Sequence, residues 1–114
     1  MWLMFSDSFL SIVDKVEPPD PTKLLVRARV AGDIERVFPD AVVTHTPRAD
    51  YAYRTTLPRA VIAAALTEAV NHVHYSNFKD SVADQQRHDA YLECWGAMHD
   101  LQMQKAGRAR TSSR

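Results

Sequence analysis

The sequence predicts an α+β protein with a mainly antiparallel sheet of about five strands and two longer helices packed on one face. Short segments with period-two alternation fill the first half of the chain, turn-forming residues separate them, and apolar residues at helical spacing dominate the second half. Strands followed by helices in this order are typical of a sheet covered by helices on one side. The length of 114 residues predicts a single domain over residues 1–104, followed by a basic, disordered tail at 105–114.

Two strands are predicted at the start of the chain, over residues 2–6 and 9–16, with a tight turn at Asp7-Ser8 between them. Neither alternating set of side chains in the second strand is cleanly polar, so we expect both of its faces to be covered along part of its length. Residues 17–21 contain three prolines, which fix φ and remove backbone donors. This segment is predicted to be a stiff, extended loop.

The third predicted strand, Lys23 to Val30, alternates most clearly. One face carries Leu24, Val26, Ala28 and Val30, and the other carries Leu25, Arg27 and Arg29. We therefore expect Arg27 and Arg29 to project from the outer face of the sheet.

A short helical turn is predicted from Gly32 through Phe38, with Asp33 as its N-cap. The β-branched residues 41–46 predict a fourth strand, and Tyr51 to Leu57 predict a fifth.

Two amphipathic helices complete the prediction. The first begins at Pro58, which suits the first helical position. Its apolar residues recur at helical spacing and are Val61, Ile62, Ala65, Leu66, Ala69, Val70 and Val73. The second helix is predicted from Ala83 to Met103, with an apolar stripe of Tyr91, Leu92, Trp95, Met98 and Leu101.

The charge is zero overall but unevenly distributed. The tail holds four basic residues and no acid, and removing these from the 14 basic residues leaves 10 against 14 acidic residues in 1–104. An acidic body argues against a broad nucleic-acid-binding face, although the tail itself is suited to touching phosphates.

The sequence indicates a cytoplasmic protein. A single cysteine, Cys94, excludes an internal disulfide and fits a reducing compartment. No apolar run reaches the roughly 18 residues of a membrane helix, and the apolar N-terminus lacks the basic leader of a signal peptide. We expect no membrane partner.

The segment from His72 to Asp80 is the first candidate binding surface, because it combines hydrogen-bonding, aromatic and cationic groups without Gly or Pro. Tyr75 and Phe78 would stack on a base or a partner side chain, while Asn77 and Lys79 would hydrogen-bond or pair with a charge. The alternative is a structured connector, in which Tyr75 and Phe78 plug the edge of the sheet, Asn77 caps a turn and Lys79 is solvated.

A second candidate patch is basic and aromatic. It consists of Arg27, Arg29, Tyr53 and Arg54. By period two, Tyr51 and Tyr53 share one face of their strand and Arg54 takes the other, so the whole set cannot point one way. The alternative is that acids such as Asp14 and Asp50 neutralise the arginines across strands.

The sequence gives little indication of a catalytic or metal-binding site. The histidines lack the spacing of a metal site, and no Cys-x-x-Cys pair exists, so neither a metal nor a cofactor is predicted. Cys94, beside Trp95, is expected to be a buried, inert thiol. His88 is expected to pair with Asp84 on one helix face. No phosphate-binding glycine loop, nucleophile elbow or helix-turn-helix signature appears, and no catalytic residue is assigned.

Several strings occur together in this chain. They are Met1-Trp2-Leu3, Phe9-x-Ser11-Ile12-Val13, Val26-Arg27-Ala28-Arg29, Asp50-Tyr51-x-Tyr53-Arg54, Tyr75-x-Asn77-Phe78-Lys79, and Trp95 followed by Asp100-Leu101-Gln102. With them the chain resembles a family of small bacterial and phage-associated proteins with no assigned function, over nearly all of residues 1–102. The Tyr-x-Asn-Phe-Lys string is the most specific part. The resemblance implies a compact cytoplasmic protein and supplies no reaction.

These observations favour a non-catalytic binding protein that acts by protein–protein contact. One form is an inhibitor of a nucleic-acid-processing or defence complex, similar to an anti-CRISPR protein, in which the acidic body competes for a basic groove. A nucleic-acid-associated protein that uses the basic tail and tyrosines is one alternative. A small enzyme with His72, His74 or His88 as its acid–base group is another. An exposed sheet edge would allow a homodimer.

Overall fold

A computed structural model describes residues 1–112, and the side chains of residues 1–108. The strands are β1 (Trp2–Phe5), β2 (Ser8–Val13), β3 (Lys23–Ala28), β4 (Thr44–His45) and β5 (Tyr53–Pro58). The helices are α1 (Asp33–Val37), α2 (Arg59–Asn71) and α3 (Gln85–Ser112), with a 3₁₀ turn at Lys79–Ser81. The chain divides into two compact units, Met1–Ser76 and Asn77–Arg114.

The predicted α+β class is confirmed, with a five-stranded antiparallel sheet and two longer helices. The strand order is β1-β2-β3-β5-β4, so β3 and β5 pair at the centre, although α1 and β4 separate them in the chain. Cα partners across the sheet place Ser11 opposite Arg27, and Arg27 opposite Arg54. This register fixes which side chains share the outer face.

The core of the first unit lies on one face of the sheet. Its buried members are Leu10, Ile12, Val26, Ala28, Ile34, Phe38 and Ile62. They come from β2, β3, α1 with the residue after it, and α2, so both helices of this unit pack on the same face. Each large aliphatic side chain buried here contributes about 1.5–3 kcal/mol. Ser11 is buried on the face of β2 opposite to Leu10 and Ile12, which confirms that this strand is covered on both faces along part of its length.

The fourth strand is shorter than predicted. Only Thr44 and His45 form the ladder, instead of residues 41–46. Val42 is 86% exposed, and its carbonyl accepts a hydrogen bond from the Thr55 hydroxyl at 2.9 Å. A side-chain hydrogen bond from β5 therefore holds the backbone at Val42 without a ladder pair there.

The prediction that Asp33 caps α1 is wrong. Gly32 is the N-cap, with φ of 89°, and a Cβ at that position would come within 3.2 Å of the Arg36 guanidinium. Asp33 is instead the first residue of α1 and is fully buried. Its carboxylate accepts a hydrogen bond from the Phe9 backbone N–H at 3.0 Å and forms a 2.8 Å ion pair with Arg36. Asp33 thus ties α1 to the start of β2.

The loop before β3 contains a local carboxylate turn. The Thr22 hydroxyl donates to Asp20 Oδ1 at 2.6 Å, and the Thr22 backbone N–H donates to the same oxygen at 2.9 Å. These two hydrogen bonds, the hydroxyl first, lower the pKa of Asp20 below its ordinary value of 3.8. Because the folded pKa is depressed, the stability that this carboxylate contributes is present above the ordinary pKa and is lost as the pH falls through the lowered value.

We expect Thr22→Val to raise the pKa of Asp20 towards its ordinary value, because the variant removes the hydroxyl donor and keeps the backbone donor. The measurement is an NMR titration of the Asp20 carboxyl carbon. Thr67→Val is the matched control, since the Thr67 hydroxyl donates to the Ala63 carbonyl on α2. An unchanged Asp20 titration in Thr22→Val, or an equal shift in the control, contradicts this assignment.

The second unit is built around α3. Its buried apolar residues include Val82 and Tyr91, and the Phe78 ring stacks on the Tyr91 ring with centroids 5.7 Å apart. Helix α3 begins at Gln85 and continues past Met103, where the sequence predicted its end, to Ser112. Residues 105–112 of the predicted tail therefore belong to α3, and residues 113–114 lie outside the described part of the chain.

Candidate binding surfaces

In the segment predicted to bind a partner, the four candidate residues Tyr75, Asn77, Phe78 and Lys79 contact their own neighbours. Within the first unit, Tyr75 is half-buried and its ring meets that of His74 edge to face, with centroids 6.2 Å apart. In the second unit, Phe78 stacks on Tyr91, and the Asn77 side-chain oxygen accepts a hydrogen bond from the Lys79 backbone N–H at 3.1 Å. The Asn77 contact matches the alternative prediction of a structured connector, whereas Phe78 packs on α3 instead of plugging the edge of the sheet.

Lys79 differs from the solvated lysine expected in that alternative. Its ammonium lies 4.6 Å from the centroid of the Trp95 ring on α3. A cation at this distance from an indole face gains about 0.5–1 kcal/mol at an exposed site. Lys79 is therefore a neighbour of the exposed face of α3.

Three arginines predicted on the outer face of the sheet converge on one residue. The guanidinium carbons of Arg27 and Arg29 lie 4.4 and 4.0 Å from the centroid of the Tyr51 ring. Arg54 Nε donates to the Tyr51 carbonyl at 3.3 Å. We call Arg27, Arg29 and Arg54 the arginine cluster.

The two acids predicted to neutralise the arginine cluster pair with different arginines. Asp50 Oδ1 lies 3.4 Å from Arg54 Nη2, so Asp50 pairs with an arginine of this set, although it does so four residues along the chain and not across strands as predicted. The same prediction for Asp14 is wrong, because Asp14 pairs with Arg59 at 3.6 Å. Both contacts are exposed and contribute little to stability.

The predicted placement of the two tyrosines is also wrong. Tyr53 packs against the apolar core and stacks on His45, with centroids 4.6 Å apart, whereas Tyr51 lies with the arginine cluster. Period-two alternation fails because Tyr51 stands in a bend before β5, which begins at Tyr53. Among the residues of the predicted patch, Arg27, Arg29 and Arg54 come together and Tyr53 does not join them.

The predictions for His88 and Cys94 are corrected by local geometry. His88 Nδ1 lies 3.6 Å from Asp89, while the Asp84 carboxylate accepts a hydrogen bond from the Arg87 backbone N–H at 2.9 Å. Asp84 therefore caps the start of α3 instead of pairing with His88. Cys94, expected to be buried, is exposed on α3.

The histidines at the end of α2 hold local contacts. His72 Nδ1 lies 2.7 Å from the Glu68 carbonyl, and His74 Nδ1 lies 3.0 Å from the His72 carbonyl. Both histidines are exposed. In the part of the chain that the structure describes, no group of three or more His, Cys, Asp and Glu side chains is placed to hold a metal ion.

The apolar stripe predicted on α3 is largely at the surface. Tyr91 is buried, but Leu92, Trp95, Met98 and Leu101 are 42%, 52%, 63% and 41% exposed. A groove runs along this side of the helix and is lined by Trp95, Met98, His99, Leu101, Gln102 and Lys105. We call these six residues the α3 face.

Charge on the α3 face is positive. Lys105 belongs to it, and Lys79 covers the Trp95 ring. His99 stacks on the same ring, with centroids 5.2 Å apart and planes 12° from parallel. At about 100° per residue, the three acids Asp89, Glu93 and Asp100 lie at least about 140° from Met98 around the helix. The acids of α3 therefore point away from the apolar stripe.

Sequence reasoning found the members of this stripe but not their exposure. Helical spacing places the side chains on one face of α3, yet the same spacing describes a buried stripe and a surface stripe. The one available sign of exposure was the length of the helix, because a helix of that length has more apolar turns than a small sheet can cover. The contact between Ser11 and Arg27 was not predicted, because it depends on the register that places the two residues opposite each other. A serine between apolar strand residues was the one local sign of a polar contact.

Among the described residues, no helix is both long and apolar enough to cross a membrane.

No family model matches this chain, and neither a curated protein nor a solved structure is significantly similar to it. The likeness to a family of small bacterial and phage-associated proteins therefore stays a prediction from the Tyr-x-Asn-Phe-Lys string.

Proposed function

We propose that this protein is a non-catalytic binding protein that acts by contact with another protein through the α3 face. The observation that carries the proposal is the exposure of Trp95, Met98 and Leu101 on consecutive turns of one helix. Single exposed apolar residues are common on protein surfaces, but a contiguous stripe with a tryptophan is typical of an interaction site. Tryptophan is also the residue most often found to dominate binding energy.

The chemistry of the α3 face favours one class of partner. An apolar stripe on a helix accepts the apolar side of a partner helix, whose anchors recur every three or four residues. Lys79 and Lys105 supply positive charge beside that stripe. The acids of α3 lie on the opposite side of the helix. The partner segment is therefore an amphipathic helix with acidic residues at its flanks.

This charge pattern distinguishes the proposal from the inhibitor predicted from the acidic body of the chain. A basic groove of a nucleic-acid-processing complex would repel Lys79 and Lys105 at the α3 face. The face thus favours an acidic partner, even though residues 1–104 as a whole carry more acids than bases.

A photo-crosslinker placed on the α3 face tests the proposal. We expect p-benzoyl-phenylalanine in place of Met98, in the native cells, to give a discrete adduct on irradiation, because Met98 is 63% exposed at the centre of the stripe. The adduct is sized on a gel, and its partner peptide is sequenced by mass spectrometry. The same crosslinker in place of Val42, which is 86% exposed in the other unit, is the matched control.

An adduct at Met98 whose partner peptide is amphipathic and acidic supports the proposal. The absence of an adduct, or identical adducts from Met98 and Val42, contradicts it. An adduct of twice the 12.9 kDa chain mass shows that the α3 face binds a second copy, and the proposed foreign partner is then wrong.

A further inference from the structure

The arginine cluster places like charges in direct opposition. Arg27 and Arg54 are Cα partners on β3 and β5, so their side chains leave the same face of the sheet about 5 Å apart at Cβ. Arg29 follows Arg27 by two residues, and its guanidinium reaches the same Tyr51 ring. Like charges directly opposite each other destabilise a sheet, so this arrangement has an energetic cost.

The contacts around the cluster leave two positive charges unbalanced. Arg27 Nη2 donates to the Ser11 hydroxyl at 2.9 Å, and Arg29 Nη1 donates to the Asp50 carbonyl at 2.6 Å, both neutral acceptors. The carboxylate of Asp50 accepts the Tyr51 backbone N–H at 2.9 Å and lies 3.4 Å from Arg54 Nη2, its one ion pair with the cluster. Among the side chains of residues 1–108, three guanidinium groups thus face one carboxylate.

One buried donor of the cluster has no acceptor. Arg27 Nε is buried and has no hydrogen-bond partner among the described residues. A buried donor without an acceptor is destabilising, because it has lost its hydrogen bond to water. The other two guanidinium groups are reachable from solvent, since Arg29 is exposed and the Arg54 side chain is 30% exposed.

We propose that the arginine cluster is a binding site for a doubly charged oxyanion of the phosphate monoester class. Such a group carries the two negative charges that the cluster lacks. Guanidinium forks bind phosphate oxygens through paired hydrogen bonds, which gives both charge balance and acceptors for Arg29 and Arg54. The Tyr51 ring holds the guanidinium groups of Arg27 and Arg29 in place before the anion arrives. This site lies in the Met1–Ser76 unit and does not depend on the function proposed for the α3 face.

The test is an NMR titration of the full chain with methyl phosphate at about pH 7.5, where a phosphate monoester with a second pKa near 6 is a dianion. Sodium chloride holds the ionic strength constant, and acetate is titrated in parallel as the singly charged oxyanion. We expect saturable shifts of the Arg27 Nε–H resonance and of the Ser11 and Arg54 amides, with tighter binding of methyl phosphate than of acetate.

Two arginine variants separate this site from general attraction of anions. Arg54→Gln should weaken methyl phosphate binding about tenfold or more, because it removes a charge-assisted donor. Arg59→Gln is the matched control, since Arg59 is also exposed but pairs with Asp14, and binding should be unchanged. Arg29→Gln, at an exposed position, makes the same test if Arg54→Gln fails to fold. Shifts that do not saturate, acetate binding as tight as methyl phosphate, or equal weakening by the variants of the cluster and by Arg59→Gln would overturn the proposal.

Discussion

Replacing Asp33 with alanine should lower the free energy of unfolding by about 3 kcal/mol. Asp33 is fully buried, and its carboxylate accepts the Phe9 N–H and pairs with Arg36. The alanine variant leaves a partly buried backbone donor of β2 without that acceptor and releases the tie between β2 and α1. The measurement is urea denaturation followed by circular dichroism, analysed by linear extrapolation.

Two further variants define what the Asp33 carboxylate contributes. Asp33→Asn keeps an oxygen acceptor for Phe9 and removes the charge, so its destabilisation should be smaller than that of Asp33→Ala. Asp14→Ala is the surface control, because the Asp14 side chain is 72% exposed and its pairing with Arg59 is loose. The control should change stability by no more than about 0.5 kcal/mol. Equal effects of Asp33→Ala and Asp14→Ala are incompatible with a structural role for the buried carboxylate.

Replacing Trp95 with alanine should reduce affinity for the partner captured at Met98 by about thirtyfold or more. A central tryptophan in an interface contributes about 2 kcal/mol or more when it is truncated, and about 1.4 kcal/mol corresponds to a factor of ten. Trp95 is 52% exposed and carries contacts from both Lys79 and His99. Isothermal titration calorimetry with the purified partner segment measures the effect.

Trp2→Ala is the matched control for Trp95→Ala, because the chain has two tryptophans and Trp2 is 70% exposed on β1. Its removal should leave the affinity unchanged. Unfolding of the Trp95 variant by urea should stay close to that of the unmodified chain, since an exposed ring contributes little to the core. Similar losses of affinity in both variants would place the interaction elsewhere than on the α3 face.

Most of the fold follows from local patterns. The alternation in β3 separates Val26 and Ala28, which are buried in the core, from Arg27. This prediction succeeds because side-chain direction in a regular strand depends only on position along the element. The apolar set predicted on α2 includes its buried residue, Ile62, but Val61 and Val70 of the same set are 45% and 70% exposed. Alternation failed at Tyr51, where the backbone bends before β5 begins.

The candidate sites were harder to predict. Arg27, Arg29 and Arg54 were expected on one sheet face, but their convergence on Tyr51 depends on the pairing of β3 with β5. The groove on α3 consists of residues that the sequence assigned to an apolar stripe, and no local pattern states whether a stripe is covered. Phe78 was a candidate contact for a partner and instead stacks on Tyr91.

The sequence by itself determined the class of the fold, the number of strands, the amphipathic character of α2 and α3, and the outward direction of Arg27. Only the tertiary structure decided that Asp33 is a buried tie between β2 and α1, that Tyr51 lies with the arginine cluster, and that Trp95 and Met98 are exposed. The physical reason is the separation in sequence over which each effect acts. Periodicity and turn chemistry act between residues a few positions apart, whereas burial and charge pairing depend on strand register and on contacts between residues distant in the chain.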